Sequence, residues 1–192
     1  MRSSGGRPTV DDREALQTAR LTLEPIRLDH AGELFGPLQD PGLYTYIPQE
    51  PPASLAALRE RFARLAVGRS PDGAQVWLNW AARRTDGGAM VGLYQATIYP
   101  DHTADIAYIT FAGHQGQGFA REACVEVIGH LGARYGVQVV GADIDTRNRA
   151  SIALIEGLGF ARVRTTRDAD FFKGASSDEF RYELRVPTSG DD

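Results

Sequence analysis

The chain is predicted to fold as an α/β protein with a mixed, mostly antiparallel, twisted sheet of about seven strands and about four flanking helices. Strand-like and helix-like patterns follow one another in the order β-α-α-β-β-β-α-β-α-β-β along its 192 residues. Three successive strands with short connections favour hairpins, whereas two strands separated by a long helix favour a parallel crossover. Because both kinds of connection occur in one chain, we expect a mixed sheet.

The composition is that of an ordinary globular protein, with 42% hydrophobic and 24% charged residues. The single cysteine, Cys124, excludes an intrachain disulfide framework and a cysteine-based zinc site. The four histidines show no metal-ligand spacing, so no metal is expected. The net charge of −4 argues against a general nucleic-acid binder. No segment approaches the roughly 20 apolar residues that a membrane span needs.

One domain is expected between two flexible tails. Residues 1–18 are rich in Gly and Ser and then in charged residues, which indicates an N-terminal tail, and residues 187–192 are predicted to be a C-terminal tail. The single domain therefore spans residues 19–186. No signal peptide opens the chain, so we expect a cytoplasmic protein. We also expect a monomer or homodimer that binds neither nucleic acid nor a membrane.

The first half of the domain contains patterns for one strand, two helices and three further strands. Alternating leucines before Pro25 predict the first strand. Asp29 is placed to cap a first helix, and apolar residues at helical spacing after the proline pair 51–52 predict a second, with an aromatic loop at 43–48 between them. Short turns separate the next three apolar runs and predict an antiparallel meander of strands at 76–82, 90–98 and 104–111.

The second half begins with the most regular pattern in the chain, an apolar stripe that predicts a helix at 118–135. A continuous apolar run at 137–144 predicts a buried strand. The helix that follows is expected to begin near Asn148 and to stop at Gly159, since glycine commonly ends helices.

The last pattern is a strict alternation of apolar and polar residues, which predicts a hairpin of residues 160–166 with 180–186. The connection at 168–178 is too long for a tight turn. Its aromatic pair, Phe171 and Phe172, is expected to cover the substrate mouth or a partner surface.

The segment Gly113-His114-Gln115-Gly116-Gln117-Gly118-Phe119-Ala120-Arg121 opens the 118–135 helix and predicts an anion site. Glycines let a ligand approach the backbone, and the first N–H groups of a helix lie unpaired at its positive end. A diphosphate suits such a site. Two known phosphate loops do not fit, because Phe119 stands where a Walker loop needs Lys and Arg121 where a dinucleotide fingerprint needs Gly. A glycine-rich helix start without a ligand is the alternative.

Two motifs in succession resemble the GCN5-related N-acetyltransferase (GNAT) superfamily. The family motif Gln/Arg-x-x-Gly-x-Gly/Ala is matched by Gln115, Gly118 and Ala120. The pattern Asn-x-x-Ser…Leu-Gly-Phe is matched by Asn148, Ser151, Leu158, Gly159 and Phe160. The pair Ala107-Tyr108 looks like the Gly-Tyr of the ribosomal-protein-alanine acetyltransferase branch. The resemblance covers about residues 19–186 and is most specific between 104 and 160.

The resemblance implies a GNAT fold in which the sheet is splayed between its central strands, at 104–111 and 137–146. Acetyl-CoA, the co-substrate, would lie in that cleft, and the amine would attack its thioester directly without a metal. The implied cofactor-binding residues are Ile109, Thr110, Phe111, Gln115, Gly116, Gln117, Gly118, Phe119, Ala120, Arg121, Asn148 and Ser151. Asn148 is also placed to cap its helix, and the two roles can coexist.

The resemblance also suggests two catalytic residues, Ser151 and Asp105. Many family members protonate the departing CoA thiolate with a tyrosine on the helix that here holds Ser151, but this helix has none. The ribosomal-protein branch implies Ser151 as the donor. Many relatives carry a glutamate near Asp105 that accepts the proton of the amine, often through water. Three alternatives remain: Asp105 is only a carboxylate at the edge of the sheet, Asp143 is the base, or water is the base. Cys124 is expected to be a buried, inert thiol.

The sequence therefore predicts an acetyl-CoA-dependent N-acetyltransferase that acts on a primary amine, either a protein N-terminus or a small molecule. The alternative from another class is a catalytically weak sensor module that binds acyl-CoA. A nucleotide-binding protein that uses the glycine loop is disfavoured, because the loop lacks the Lys-Ser/Thr pair.

Overall fold

The computed structural model describes residues 14–187, and these form eight β-strands and four α-helices. In chain order they are β1 (Leu16–Gln17), β2 (Leu21–Pro25), α1 (His30–Leu34), α2 (Leu55–Leu65), β3 (Val76–Arg84), β4 (Met90–Ile98), β5 (Thr103–Thr110), α3 (Phe119–Tyr135), β6 (Val139–Asp145), α4 (Arg149–Gly157), β7 (Ala161–Phe172) and β8 (Ala175–Arg185). The predicted fold class and element order are confirmed, with one additional strand, β1. Within residues 14–187, no helix has both the length and the apolar character to cross a membrane.

The additional strand β1 lies inside the segment that was predicted to be a flexible tail. Leu16 pairs with Leu23 of β2, and its side chain is buried in the core. A strand of two residues is too short to show an alternating pattern, so nothing in the sequence distinguishes it from the polar residues around it. Residues 1–13 and 188–192, which make up the rest of the two predicted tails, lie outside the described residues.

The sheet has the strand order β1-β2-β3-β4-β5-β6-β8-β7, and its neighbours are antiparallel except for β5 and β6. These two parallel strands are joined through α3. They pair over only three residue pairs, from Thr103 with Val139 to Asp105 with Gly141, although β5 continues to Thr110 and β6 to Asp145. The sheet therefore opens into a cleft beyond Asp105, as the resemblance implied.

Two apolar cores cover the two faces of the sheet. Helices α3 and α4 pack on one face, and α1 and α2 pack on the other. Side chains alternate along β5, so Ile106 and Tyr108 join the α3/α4 core while Ile109 and Phe111 join the α1/α2 core. Asp105, in register with Ile109, consequently lies on the α1/α2 face.

Three helices begin where the sequence supplies a capping side chain. Asp29 caps α1 by accepting from the His30 N–H at 3.1 Å, and Ser54 caps α2 by accepting from the Ala57 N–H at 3.1 Å. Asn148 does the same for α4. Helix α3 begins differently: its N-cap is Gly118, to which the described residues contribute no side-chain hydrogen bond.

The prediction of a long loop at 168–178 is wrong. Strands β7 and β8 run almost to the tip of one hairpin, and only Lys173 and Gly174 lie between them, with φ values of +52° and +76°. Two successive residues with positive φ are typical of the tight turn that joins antiparallel strands. The sequence hides this because β7 is an edge strand with most of its side chains exposed, so no apolar alternation marks it.

Candidate active site

The glycine loop leaves the first turn of α3 open to a ligand. Gly116 and Gly118 have φ values of +72° and +82°, which only glycine adopts without strain. The first hydrogen bond of the helix runs from the Glu122 N–H to the Gly118 carbonyl at 3.1 Å, so the N–H groups of residues 119–121 lie ahead of the helical ladder. These donors, at the positive end of a 17-residue helix, fit the pyrophosphate of CoA.

Side chains hold this loop in shape from within. Gln115 Nε2 donates to the Thr110 carbonyl and Gln117 Nε2 donates to the Gly113 carbonyl, each at 2.9 Å. Both predicted cofactor-binding glutamines thus use their side chains to order the loop. A loop that is already ordered loses little conformational entropy when it binds a ligand.

Arg20 is a loop neighbour that sequence reasoning missed. Its Nη1 donates to the Gln117 carbonyl at 3.1 Å, its Nε donates to Glu122 Oε2 at 2.7 Å, and its guanidinium lies 4.5 Å from the ring centroid of Phe119. Nearly a hundred residues separate Arg20 from this loop, so only the pairing of β2 within the sheet brings it there. Because its charge is paired with Glu122, Arg20 serves to fix the loop against the first turn of α3.

The cleft between β5 and β6 exposes backbone groups that fit the pantetheine arm of CoA. The Phe111 N–H donates to the Val91 carbonyl at 2.8 Å, so this side of β5 is bound to β4. Hydrogen-bonding directions alternate along an antiparallel strand, and the backbone of Tyr108 and Thr110 therefore faces the gap towards β6. The Thr110 carbonyl there already accepts from Gln115 Nε2, which leaves the Tyr108 backbone and the Thr110 N–H for a ligand. Arg121 links α3 to α4, since its Nη1 donates to the Gly157 carbonyl at the end of α4, 2.6 Å away.

Helix α4 brings Asn148 and Ser151 to the other side of the cleft. Asn148 Oδ1 accepts from the Ser151 N–H at 3.1 Å, which confirms its capping role, and its side-chain amide has no hydrogen bond within the described residues. That amide is available to a cofactor. The Ser151 hydroxyl lies 2.6 Å from the hydroxyl of Tyr108, a contact between α4 and β5 that sequence reasoning did not foresee. Burial raises the pKa of Tyr108, so its phenol remains neutral.

Asp105 lies at the vertex of the cleft and is part of an ionic cluster. Its Oδ2 accepts from the Tyr99 hydroxyl at 2.9 Å, and its Oδ1 lies 2.7 Å from Arg181 Nη1. The same nitrogen of Arg181 lies 2.8 Å from Asp143 Oδ2. Burial of Arg181 acts against its charge, but the two carboxylates outweigh this and raise its pKa. One arginine thus joins the two aspartates that the sequence offered as alternative bases.

Gly141 makes room for this cluster. A Cβ atom at this position would lie 2.1 Å from Arg181 Nη2 and 2.6 Å from Asp105 Oδ1. Real side chains do not come so close, so any other residue here would displace the arginine from the aspartates.

The aromatic segment 43–48 and the tip of the β7–β8 hairpin, which carries the Phe171-Phe172 pair, meet at one end of the sheet. Lys173 Nζ, at the tip of the β7–β8 hairpin, donates to the Tyr44 carbonyl and lies 4.0 Å from Glu50 Oε1. Tyr46 and Phe171, on either side of this contact, expose 37% and 72% of their surface. The aromatic segment 43–48 is not wholly a loop, since Tyr44 is buried and ends a short 3₁₀ helix.

Cys124 is a buried core residue, as the apolar stripe of α3 predicted. Burial raises the pKa of its thiol to about 12. The thiolate that a nucleophile requires is therefore scarce at neutral pH.

Comparison with known proteins gives a consistent result. Residues 20–161 match the family model described as an acetyltransferase (GNAT) domain. The chain is 25% identical to the uncharacterized N-acetyltransferase p20 of Bacillus licheniformis over 89% of its own length and 96% of p20. It is 22% identical to the uncharacterized N-acetyltransferase YoaA of Bacillus subtilis over 90% of its own length and 97% of YoaA.

Solved structures share the fold. RimL, a ribosomal L7/L12 alpha-N-protein acetyltransferase in complex with coenzyme A, superposes with a TM-score of 0.81 at 18% identity, covering 90% of this chain and 98% of RimL. A GNAT-family acetyltransferase from Bacillus anthracis superposes with a TM-score of 0.77 at 16% identity, covering 90% and 98% of the two chains. Since the family model spans most of the domain, the chain belongs to the GNAT family and is an N-acetyltransferase that takes its acetyl group from acetyl-CoA.

Proposed function

We propose that this enzyme acetylates a primary amine, a peptide N-terminus or a small-molecule amine, that reaches the cleft from the α1/α2 face of the sheet. The opening between β5 and β6 carries the proposal, because it separates two ends with different chemistry. One end holds the free N–H groups of α3 and suits a diphosphate. The other end, between the hairpin tip and the 44–50 segment, leaves exposed aromatic side chains for an acceptor.

Each group has a part in this proposal. Acetyl-CoA supplies a reactive thioester. The backbone of residues 115–121 binds its pyrophosphate, and the gap-facing backbone of β5 together with the Asn148 amide aligns the pantetheine arm. The Ser151 hydroxyl donates a hydrogen bond to the sulfur as the bond to carbon breaks. Asp105 receives the proton of the amine, directly or through water.

The position of Asp105 supports its role as the base. It is the last residue of β5 that pairs with β6, so its carboxylate lies at the vertex of the cleft, on the face from which the acceptor enters. Tyr99 and Arg181 hold both of its oxygens in place.

Asp105→Asn is expected to lower kcat/KM by about 100-fold or more, the usual range for loss of a general base. Asp143→Asn is the matched control, because it also removes a carboxylate from Arg181, and we expect it to lower kcat/KM by less than about tenfold. Rates are compared from pH 6 to 9 at saturating acetyl-CoA. Equal losses in the two variants would mean that the ionic cluster matters only for structure, and an unchanged Asp105→Asn rate would assign the proton to water.

Alanine at Tyr46 or Phe171 is expected to raise the KM of the amine roughly 5- to 30-fold, which corresponds to about 1–2 kcal/mol of lost contact. The dissociation constant of acetyl-CoA is expected to stay within about twofold, because neither residue lies near the α3 N-terminus. Val163→Ala removes an exposed apolar side chain from β7 away from the tip and serves as the control. A parallel loss of acetyl-CoA affinity would count against this acceptor site.

Acceptor identity is tested by acetyl-CoA turnover over a panel of amines. The panel contains peptides with varied N-termini, polyamines, amino acids and aminoglycosides. Peptides that begin with serine are included because one structural neighbour, with a TM-score of 0.80, is described as modifying the N-terminal serine of ribosomal protein L7/L12. Transfer to any amine excludes the sensor alternative, and binding of acetyl-CoA without transfer to any of them supports it. The proposal includes a cytoplasmic location and a monomeric or homodimeric enzyme.

A further inference from the structure

We propose that Tyr108 is a positioning residue for thiolate departure: it donates its hydroxyl hydrogen to Ser151 and so directs the Ser151 hydroxyl into the cleft. The inference rests on the proposed role of Ser151 and extends it to a second residue on a different element. The hydroxyl that faces the sulfur remains that of Ser151 on α4, and the tyrosine that orients it lies on β5.

The geometry isolates Tyr108 and Ser151 as a pair. Their oxygens are 2.6 Å apart, and within residues 14–187 neither hydroxyl has another hydrogen-bond partner. The backbone of Ser151 is fixed, since its N–H is bound to Asn148. Tyr108 is fixed by the sheet, where it stands opposite Tyr94 of β4 with its side chain against the α3/α4 core.

A pair of hydroxyls that share one hydrogen bond can still donate a second one. Two hydroxyls carry two hydrogens, one of which is used between them, and the other is free to be donated. A phenol is far more acidic than an alcohol and is the better donor, while the serine oxygen is the better acceptor. Tyr108 therefore donates to Ser151, and the Ser151 hydrogen remains for the sulfur. A hydroxyl that accepts one hydrogen bond also donates a stronger one.

The step balances without a change in the protonation of Tyr108. The new N–C bond forms and the C–S bond breaks with its electron pair on sulfur, and the proton of the amine passes to Asp105 or water. Ser151 donates a hydrogen bond to the charge on sulfur. Since burial raises the pKa of Tyr108 while a thiol has a pKa near 8.5, the phenol keeps its proton throughout.

The chain offers a matched control for the hydroxyl in Tyr182. This residue is fully buried on the same face of the sheet, and its hydroxyl donates to Glu156 Oε1 of the same helix at 2.9 Å. Tyr182→Phe therefore removes a tyrosine hydroxyl that is bound to α4 without touching Ser151. It measures what the loss of such a contact does to the helix alone.

The test is a double-mutant cycle with Tyr108→Phe, Ser151→Ala and the double variant, followed in single turnovers with the best amine of the panel. We expect Tyr108→Phe to lower the single-turnover rate by about tenfold, the usual effect of one lost hydrogen bond. In the Ser151→Ala background the same change is expected to lower it by less than about twofold. Acetyl-CoA affinity and the melting temperature of Tyr108→Phe should match those of Tyr182→Phe, which keeps its rate.

Four results would overturn the inference. Losses that multiply in the double variant mean that Tyr108 does not act through Ser151. A rate loss in Tyr182→Phe equal to that in Tyr108→Phe means that a loosened α4 explains both. A full rate in Tyr108→Phe, with a loss in Ser151→Ala, shows that Tyr108 has no positioning role and is consistent with the proposed role of Ser151. A full rate in Ser151→Ala contradicts the proposed role of Ser151, and the inference that rests on it, at once.

Discussion

Gly118→Trp is expected to abolish acetyl-CoA binding while the fold survives. An indole at the N-cap of α3 would occupy the space in front of the free N–H groups, where the pyrophosphate must approach. A non-glycine residue at a φ of +82° costs about 1–3 kcal/mol, which a domain of this size tolerates. The atom nearest to the new Cβ is Arg20 Nη2 at 3.4 Å, the end of a flexible side chain that can move aside.

Thermal-shift titration with acetyl-CoA measures this effect. Ligand at about 100 times its dissociation constant stabilises the wild-type protein by about 2.7 kcal/mol, and the variant is expected to show no stabilisation. Gly73→Trp is the matched control, because Gly73 has a φ of +71° and open space around it, in the turn before β3 at the opposite end of the sheet. We expect Gly73→Trp to carry the same backbone strain and to bind acetyl-CoA as the wild-type protein does. Unchanged stabilisation of Gly118→Trp by acetyl-CoA would contradict the assignment of the loop.

Ser151→Ala is expected to lower kcat by roughly 10- to 1,000-fold, with the smaller effect if water replaces the hydroxyl. The leaving sulfur develops charge in a cleft where α4 carries no tyrosine, and Ser151 is the hydroxyl on that helix held towards β5. The dissociation constant of acetyl-CoA should change by less than about tenfold, since the contacts of residues 115–121 with the pyrophosphate remain. Single-turnover measurements by stopped flow or rapid quench separate the chemical step from product release.

Ser151→Thr is the control for this prediction, because it keeps the hydroxyl and changes only the space around it. We expect it to recover a large part of the rate that alanine loses. A full rate in Ser151→Ala, measured where chemistry limits turnover, would show that the hydroxyl takes no part in the departure of the thiolate.

Local patterns in the sequence were enough to predict the parts of the site that depend on neighbours along the chain. The apolar stripe placed Cys124 in the core, and the position of Asn148 before a helix predicted its cap. The glycines of the loop predicted an open helix start, since positive φ values and a free first turn are properties of a few consecutive residues.

The contacts that complete the site join residues far apart in sequence, and no local pattern contains them. Arg181 reaches Asp105 because β8 inserts beside β6, and this register is set by the whole sheet. The contact of Tyr108 with Ser151 depends on how α4 packs on β5. Alternation along β5 does place Tyr108 on the opposite face of the sheet from Asp105. The sequence could therefore have predicted that Tyr108 faces the α3/α4 side.

The short pairing of β5 with β6 has a mechanical consequence. Backbone hydrogen bonds tie the five strands β1–β5 into one unit and β6, β8 and β7 into another, but only three residue pairs connect the units. Apolar packing beneath α3 and α4 and a few side-chain contacts, among them Asp105 with Arg181 and Tyr108 with Ser151, provide the rest of the connection. Apolar packing and single side-chain contacts, unlike a hydrogen-bonded ladder, permit small rotations. The two units can therefore rotate slightly against each other. A pantetheine arm that bonds to β5 and to the Asn148 amide would bridge the two units and limit this motion.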